Sequence, residues 1–251
     1  MTPLVLANIL QPLIDIANSV LKFFHDDVGL SWGGAIIALT IVTRALLIPL
    51  TYKQLKGMRA MQALQPQIKE LQAKYKNDRQ RMQQEMMKFY QENNVNPFAS
   101  CIPLVAQLPV FITLFYTLKT VLPEDIGCTA GDCPQSAFLF IPDLTASATG
   151  WVLGVLLVLY VGTQLISGLV MSVTAEKSQR RLMMILPFVF VPFIINFPAG
   201  LVLYWITTNV WTIGQQYVIQ KVVPAPAVVT ASAAVAAKPP PPPPKKKKKR
   251  R

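Results

Sequence analysis

The sequence predicts an all-α membrane protein: five transmembrane helices, a cytoplasmic helical hairpin and an amphipathic N-terminal helix on the membrane surface. Three observations predict it. Of 251 residues, 52% are hydrophobic and only 14% charged, and the apolar ones lie in long runs near the roughly 20 residues that a bilayer core demands. The basic charge is segregated, with nine of the 24 Lys and Arg in 53–97 and nine more in 221–251, regions that the positive-inside rule assigns to the cytoplasm. Between the first two apolar runs lies a stretch whose apolar residues recur at three and four positions, the spacing of helices with one dry face.

Residues 1–29 open the chain. Asn8, Gln11, Asp15, Asn18 and Lys22 alternate with Leu10, Ile14, Ala17, Leu21 and Phe24, which predicts an amphipathic helix. The polar stripe argues against a spanning segment, and no basic cluster precedes it as in a signal peptide. The helix lies flat on the extracytoplasmic membrane surface or packs on the protein's own outer face.

Residues 30–52 form the first span. The insert 53–98 follows as a cytoplasmic hairpin, with Leu55, Met58, Met61, Leu64, Ile68, Leu71 and Tyr75 on one arm and Met82, Met86, Phe89 and Tyr90 on the other. Pro66 is expected to kink the first arm and Asp78 to cap the second. Its basic charge and adaptable methionines suit contact with a partner, against the alternative of a solvated spacer. Four further spans fall at 99–121, 150–173, 182–197 and 199–220, making 99–222 the remainder of the membrane core. Pro187 and Pro192 make the ends of the fourth hardest to place. Residues 223–251 cannot bury a core and read as a disordered, Pro-rich basic tail, in which six prolines hold Lys245, Lys246, Lys247, Lys248, Lys249, Arg250 and Arg251 away from the bilayer. Such a cluster binds polyanions, either ribosomal RNA or anionic lipid.

With the N-terminus outside, the outer segments hold Asp15, Asp26, Asp27, Glu124, Asp125, Asp132 and Asp143 against Lys22, with Lys119 at a nearby helix end. Lys177, Arg180 and Arg181 join the two basic regions on the cytoplasmic side. Cys128 and Cys133 share the short outer loop "CTAGDC", where a disulfide closes if the compartment is oxidising. Cys101 lies in an apolar run and reads as packing. No glycine-rich phosphate loop, zinc spacing or second histidine beside His25 occurs, so no cofactor, metal or catalytic chemistry is supported.

One residue violates the pattern. Arg44 stands inside the first span, where a charge costs from about 3 to more than 10 kcal/mol depending on the scale, so such residues usually mark a functional site. Counted back from Tyr52 along a straight helix, it sits about 12 Å below the cytoplasmic end. None of the five spans holds an Asp or Glu to pair with it. The available partners are neutral: Thr40, Gln107, Gln164, Ser167, Thr207, Asn209, Gln215 and Gln216. A permanently charged group among neutral neighbours is cheapest in water, which implies a hydrated cavity open to the cytoplasm. The alternative is a structural arginine bonded to carbonyls at a helix junction. A proton-coupled transporter would use titratable groups at midplane and a channel a continuous polar pore. A one-sided cationic cavity instead suits temporary lodging of a polar or acidic peptide; a small-solute transporter or channel, or a chaperone that only assembles helices, is the alternative.

Four segments in order, "TRALLIPLTYKQ" at 43–54, "MQALQPQIKELQAKYKND" at 61–78, "YQENNVNPFASCIPLVAQLPVF" at 90–111 and "FPAGLVLYWITTNVWTIGQQ" at 197–216, resemble the YidC/Oxa family of membrane protein insertases, in the short bacterial type without a large periplasmic domain. The resemblance implies entry of nascent membrane proteins into the cell membrane, directly from the ribosome or beside the Sec translocon, with no small-molecule substrate. It makes Arg44 the groove arginine, with Gln107, Gln164, Trp205 and Asn209 around it, to which Thr40 is added by its place one turn away.

Overall fold

The structure, a computed structural model, describes residues 3–93, 95, 102–129, 131–171 and 177–222. Cys101 and the tail with Lys245–Arg251 lie outside the described residues. Ten α-helices are described: α1 Pro3–Lys22, α2 Trp32–Leu46, α3 Ile48–Ala63, α4 Gln65–Lys74, α5 Arg79–Glu92, α6 Ile102–Tyr116, α7 Leu122–Ile126, α8 Gly150–Met171, α9 Lys177–Ile194 and α10 Ala199–Val222. Among the described residues the only β-type pairings are three isolated bridges in loops. The chain divides into two units, Met1–Lys56 with Phe98–Pro224 and one that contains Gly57–Pro97.

In the first unit α10 packs on α8 and α2, α8 packs on α9, and α1 packs on α6 and α2. One apolar core joins them, with Leu21, Ile36, Leu114, Leu118, Leu144, Leu156 and Leu201 fully buried. By length and composition α8 can cross a membrane over Gly150–Val170, the bent pair of α2 and α3 can do so as one broken span, and Met183–Ile194 is a shorter apolar helix. The outward faces of α8, α9 and α10 expose Val158, Phe188, Phe193 and Val210, as surfaces against lipid require.

The first span departs from the expected straight helix at 30–52. Its axis turns by 55° at Leu47 and α3 then runs past Tyr52 to Ala63. Pro49 explains the bend, because it has no N–H to donate to Ala45 and its ring crowds that carbonyl. The helix expected at 99–121 continues beyond that apolar stretch: a wide π turn at Thr117–Val121 joins α6 to α7, which runs to Ile126 and carries Glu124 and Asp125 outside the expected span.

The polar stripe of α1 does not face water alone. Asn18 Nδ2 donates to Asp125 Oδ2 at 2.8 Å and Lys22 Nζ pairs with Asp125 Oδ1 at 2.9 Å, clamping α1 to α7, while Ile14 and Leu21 are buried. Burial pushes the Asp125 carboxyl up, but Lys22 and Asn18 outweigh it and hold it below the usual carboxylate range. A second stripe, Leu13, Ile16 and Phe23, is exposed and apolar, which suits a helix wedged between protein and membrane interface. Asp125→Ala should release α1: amide exchange in residues 14–22 accelerates roughly fivefold, for about 1 kcal/mol of lost pairing, with the core helices unchanged. Unchanged exchange in α1 would show that apolar packing alone holds it.

In the second unit α4 packs against α5 around buried Ile68. The break between α3 and α4 falls at Leu64, with Pro66 in the first turn of α4, where its missing N–H is harmless. Asp78 caps α5 by accepting from Arg81 N at 2.9 Å. Lys74 and Arg81 lie 5.4 and 5.6 Å from the centre of the Tyr75 ring at the turn.

Candidate functional site

Arg44 lies in the last turn of α2, three residues before the bend, and is half-buried. A cation there meets the negative end of the helix dipole, worth about 0.3–1 kcal/mol. The Pro49 bend therefore places the charge at a helix end and not in the middle of a straight span, which revises the depth counted from Tyr52. Arg44 Nη2 donates to Gln107 Oε1 of α6 at 3.0 Å. No carboxylate pairs with Arg44 among the described residues. Tyr204, buried on α10, lies close enough to Arg44 to interact with its charge.

The other expected residues divide into two groups. Thr40 is buried one turn from Arg44, but its hydroxyl donates to Ile36 O at 2.7 Å on its own helix. Asn209 is buried and its Nδ2 donates to Thr163 Oγ1 at 3.3 Å, linking α10 to α8, and Gln164 stands half-buried beside Thr163. Trp205 belongs to a different environment. Its ring stacks on Phe111 at 5.3 Å and lies 5.8 Å from Tyr160 and 5.9 Å from Phe197, while Phe115 meets Phe197 at 5.8 Å.

These positions sort along the helices. On α6 Gln107 precedes Phe111 and Phe115 by one and two turns; on α10 Trp205 precedes Asn209 by one turn; on α8 Tyr160 precedes Thr163 and Gln164. Since α6 runs antiparallel in this sense to α8 and α10, the polar residues gather toward one end of the bundle and the aromatic cluster toward the other. The polar end is rich in donors. Arg44 carries five N–H groups, and Gln107, its acceptor occupied by Arg44, keeps a buried Nε2 without a partner. Such a site favours carboxylates and peptide carbonyls.

At the aromatic end a loop caps α10. Ala199 N donates to Ala146 O at 2.7 Å and Gly200 N to Leu144 O at 2.9 Å, satisfying the first amides of the helix that carries Tyr204, Trp205 and Asn209. Cys128 and Cys133 are bonded to each other in this loop, with Cα atoms 5.3 Å apart. Asp143 is its hub, accepting from Cys133 N, Ser136 Oγ, Thr145 N, Thr145 Oγ1 and Ala146 N at 2.7–3.3 Å. Sequence reasoning counted Asp143 only as an outer acid and Trp205 only as a groove residue, and missed the hub, Tyr204 and the rings around Trp205; the one available signal for the hub was an Asp followed by Thr two positions on, a common turn pattern.

Comparison with known proteins gives the relationship. The family model described as 60Kd inner membrane protein matches residues 23–226. A membrane protein insertase YidC of Streptomyces avermitilis is 38% identical over 234 residues, covering 82% of this chain and 55% of the relative. One of Cellvibrio japonicus is 41% identical over 201 residues, covering 80% and 34%. A solved structure described as an active YidC insertase crystal structure with the first transmembrane domain resolved superposes with a TM-score of 0.64 at 27% identity, over 84% of this chain and 46% of that one. The chain thus spans between about a third and somewhat over half the length of these relatives. On the extent of the family match and the identity to its curated members, the chain belongs to the 60Kd inner membrane protein family, that of the YidC insertases.

Proposed function

We propose that this protein is a membrane protein insertase that acts without a chemical step, admitting polar segments of nascent membrane proteins to a hydrated groove around Arg44 and releasing apolar segments to lipid. The chain crosses the cell membrane five times in this reading, with the N-terminus outside, and the polar end of the bundle and the hairpin facing the cytoplasm. The observation that carries it is the donor-rich pair Arg44–Gln107, without a carboxylate partner among the described residues, backed at the other end by the aromatic cluster. A polar leader finds hydrogen bonds at the polar end of the bundle, and the dry end keeps the membrane sealed.

The energy comes from the substrate. About 20 apolar residues at −0.3 to −0.6 kcal/mol each gain several kcal/mol on reaching lipid. An acidic residue leaving a negative compartment gains about 2.3 kcal/mol per 100 mV. The test is reconstitution: the purified protein in vesicles of phosphatidylethanolamine and phosphatidylglycerol should place a substrate's polar leader in the lumen, protected from protease, and a cysteine at position 44 should react with a water-soluble maleimide added from the cytoplasmic side. Absent protection, or a position 44 sealed from the reagent, overturns the groove.

The hairpin and the tail supply the approach of the ribosome, with the Sec translocon as a further partner. Deleting Lys245–Arg251 should weaken co-sedimentation with ribosomes and lower the salt dependence of binding by about one unit of slope per lost phosphate contact. An unchanged slope would reassign the tail to lipid.

A further inference from the structure

The loop before α8 contains a turn that the groove does not use. Phe138 and Ile141 exchange both backbone hydrogen bonds at 2.9 Å, leaving Leu139 and Phe140 at the tip. Leu139 has φ +53°, the one positive φ outside glycine among the described residues, and is 83% exposed. Glycine or asparagine suits that backbone far better, so a bulky apolar side chain there asks for a reason beyond the turn.

The flanks of the turn are fixed. The Phe138 ring lies against Gly33 so closely that a Cβ at Gly33 would come within 2.1 Å of it, and Ile141 is buried. The tip is therefore presented rigidly. Its neighbour is Trp151, whose ring lies 5.9 Å from that of Phe140 and which is 68% exposed. Trp151 is the second residue of α8, the one unbroken helix long and apolar enough to cross a membrane among the described residues. The first residues of such a helix lie at the boundary between headgroups and acyl chains, where tryptophan is favoured. The contact with Phe140 puts the tip beside that level.

We propose that Leu139 and Trp151, held by half-buried Phe140 between them and the core, form an anchor that enters the headgroup–acyl boundary of the lipid bilayer at the end where α8 begins. The partner is the lipid interface and not a protein, because the level is set by the start of a spanning helix and the tip lacks the charged or hydrogen-bonding groups that would specify a protein surface. The anchor fixes the loop that caps α10, and so the height of that helix in the bilayer.

The test uses the full chain. Leu139→Cys in a Cys101→Ser background, kept non-reduced so that Cys128–Cys133 stays bonded, is labelled with the fluorophore NBD and reconstituted in phosphatidylcholine and phosphatidylglycerol vesicles. The expected result is blue-shifted emission, strong quenching by lipids brominated high on the acyl chain, and weak quenching by aqueous iodide. Water-like emission quenched by iodide overturns the anchor. So does a shift that grows with the protein-to-lipid ratio and ignores brominated lipid, which would assign the tip to a second copy. At a site so exposed the substitution leaves folding intact, and an unchanged melting temperature of the unlabelled variant in detergent checks this.

Discussion

Arg44→Ala should reduce insertion of substrates with acidic leaders about tenfold or more in energised proteoliposomes, and change insertion of uncharged leaders by no more than about twofold. A guanidinium and a carboxylate about 4 Å apart attract with roughly 4 kcal/mol at an effective dielectric of 20, and exchange with water leaves a fraction of that; about 1.4 kcal/mol is a factor of ten. The protein itself should tolerate the change. Among the described residues Arg44 makes one side-chain hydrogen bond, to Gln107, and it sits in the last turn of α2, where a short side chain leaves the helix and its core contacts in place. Arg44→Lys keeps the charge but lacks the planar fork, so it separates electrostatic attraction from shaped recognition: near-complete rescue assigns the effect to charge. Equal insertion of acidic leaders by Arg44→Ala and wild type would remove the arginine from the mechanism.

The charge was legible in the sequence and its setting was not. A lone arginine in an apolar run without any acidic partner announced itself by composition. What places it at a helix end is Pro49, which a hydrophobicity count scores as compatible with a span, although it removes one backbone donor and bends the axis by 55°. The same blindness ended the helix of 99–121 too early: Glu124 and Asp125 read as loop, yet they continue the helix, with Asn18 and Lys22 bound to the Asp125 carboxylate. The stripe of α1 shows the limit of periodicity, which finds a polar face but not whether water or a carboxylate 107 positions away satisfies it. Tyr204 beside Arg44, Asn209 on Thr163 and the ring cluster around Trp205 all depend on the relative rotation of helices, which no single segment encodes. Gln107 was reachable because both it and Arg44 were exceptional in their own spans.

The second large effect belongs to Asp143. Asp143→Ala should cost about 3 kcal/mol of stability, seen as a lower midpoint of thermal unfolding in detergent. Hydrogen bonds to a carboxylate are each worth roughly 1.5–3 kcal/mol, and the group's partial exposure discounts the five it accepts. The loss does not stay local, since the buried Thr145 hydroxyl loses its acceptor, Ser136 Oγ keeps only Cys133 O, and the loop whose Leu144 and Ala146 carbonyls cap α10 is loosened. Asp143→Asn discriminates between charge and shape. Four of the five bonds go to Oδ1, which an amide oxygen can replace, but its NH₂ would then face Cys133 N, donor against donor, so an intermediate loss is expected. Titration gives an independent reading. Burial raises the Asp143 carboxyl, but the hydrogen bonds from Thr145, Ser136 and Cys133 outweigh it and hold it below its ordinary value of 3.8. A group depressed in the folded state contributes its full stability above the unfolded value, so the contribution is intact at neutral pH, starts to fall near pH 4, and is lost as pH drops through the folded value. Wild type should therefore lose stability below about pH 4 more steeply than Asp143→Asn, which has no proton to take up there. Parallel pH profiles for the two proteins would mean that the hub contributes geometry without electrostatic stabilisation, and that the cap on α10 is held by the backbone and the Cys128–Cys133 bond alone.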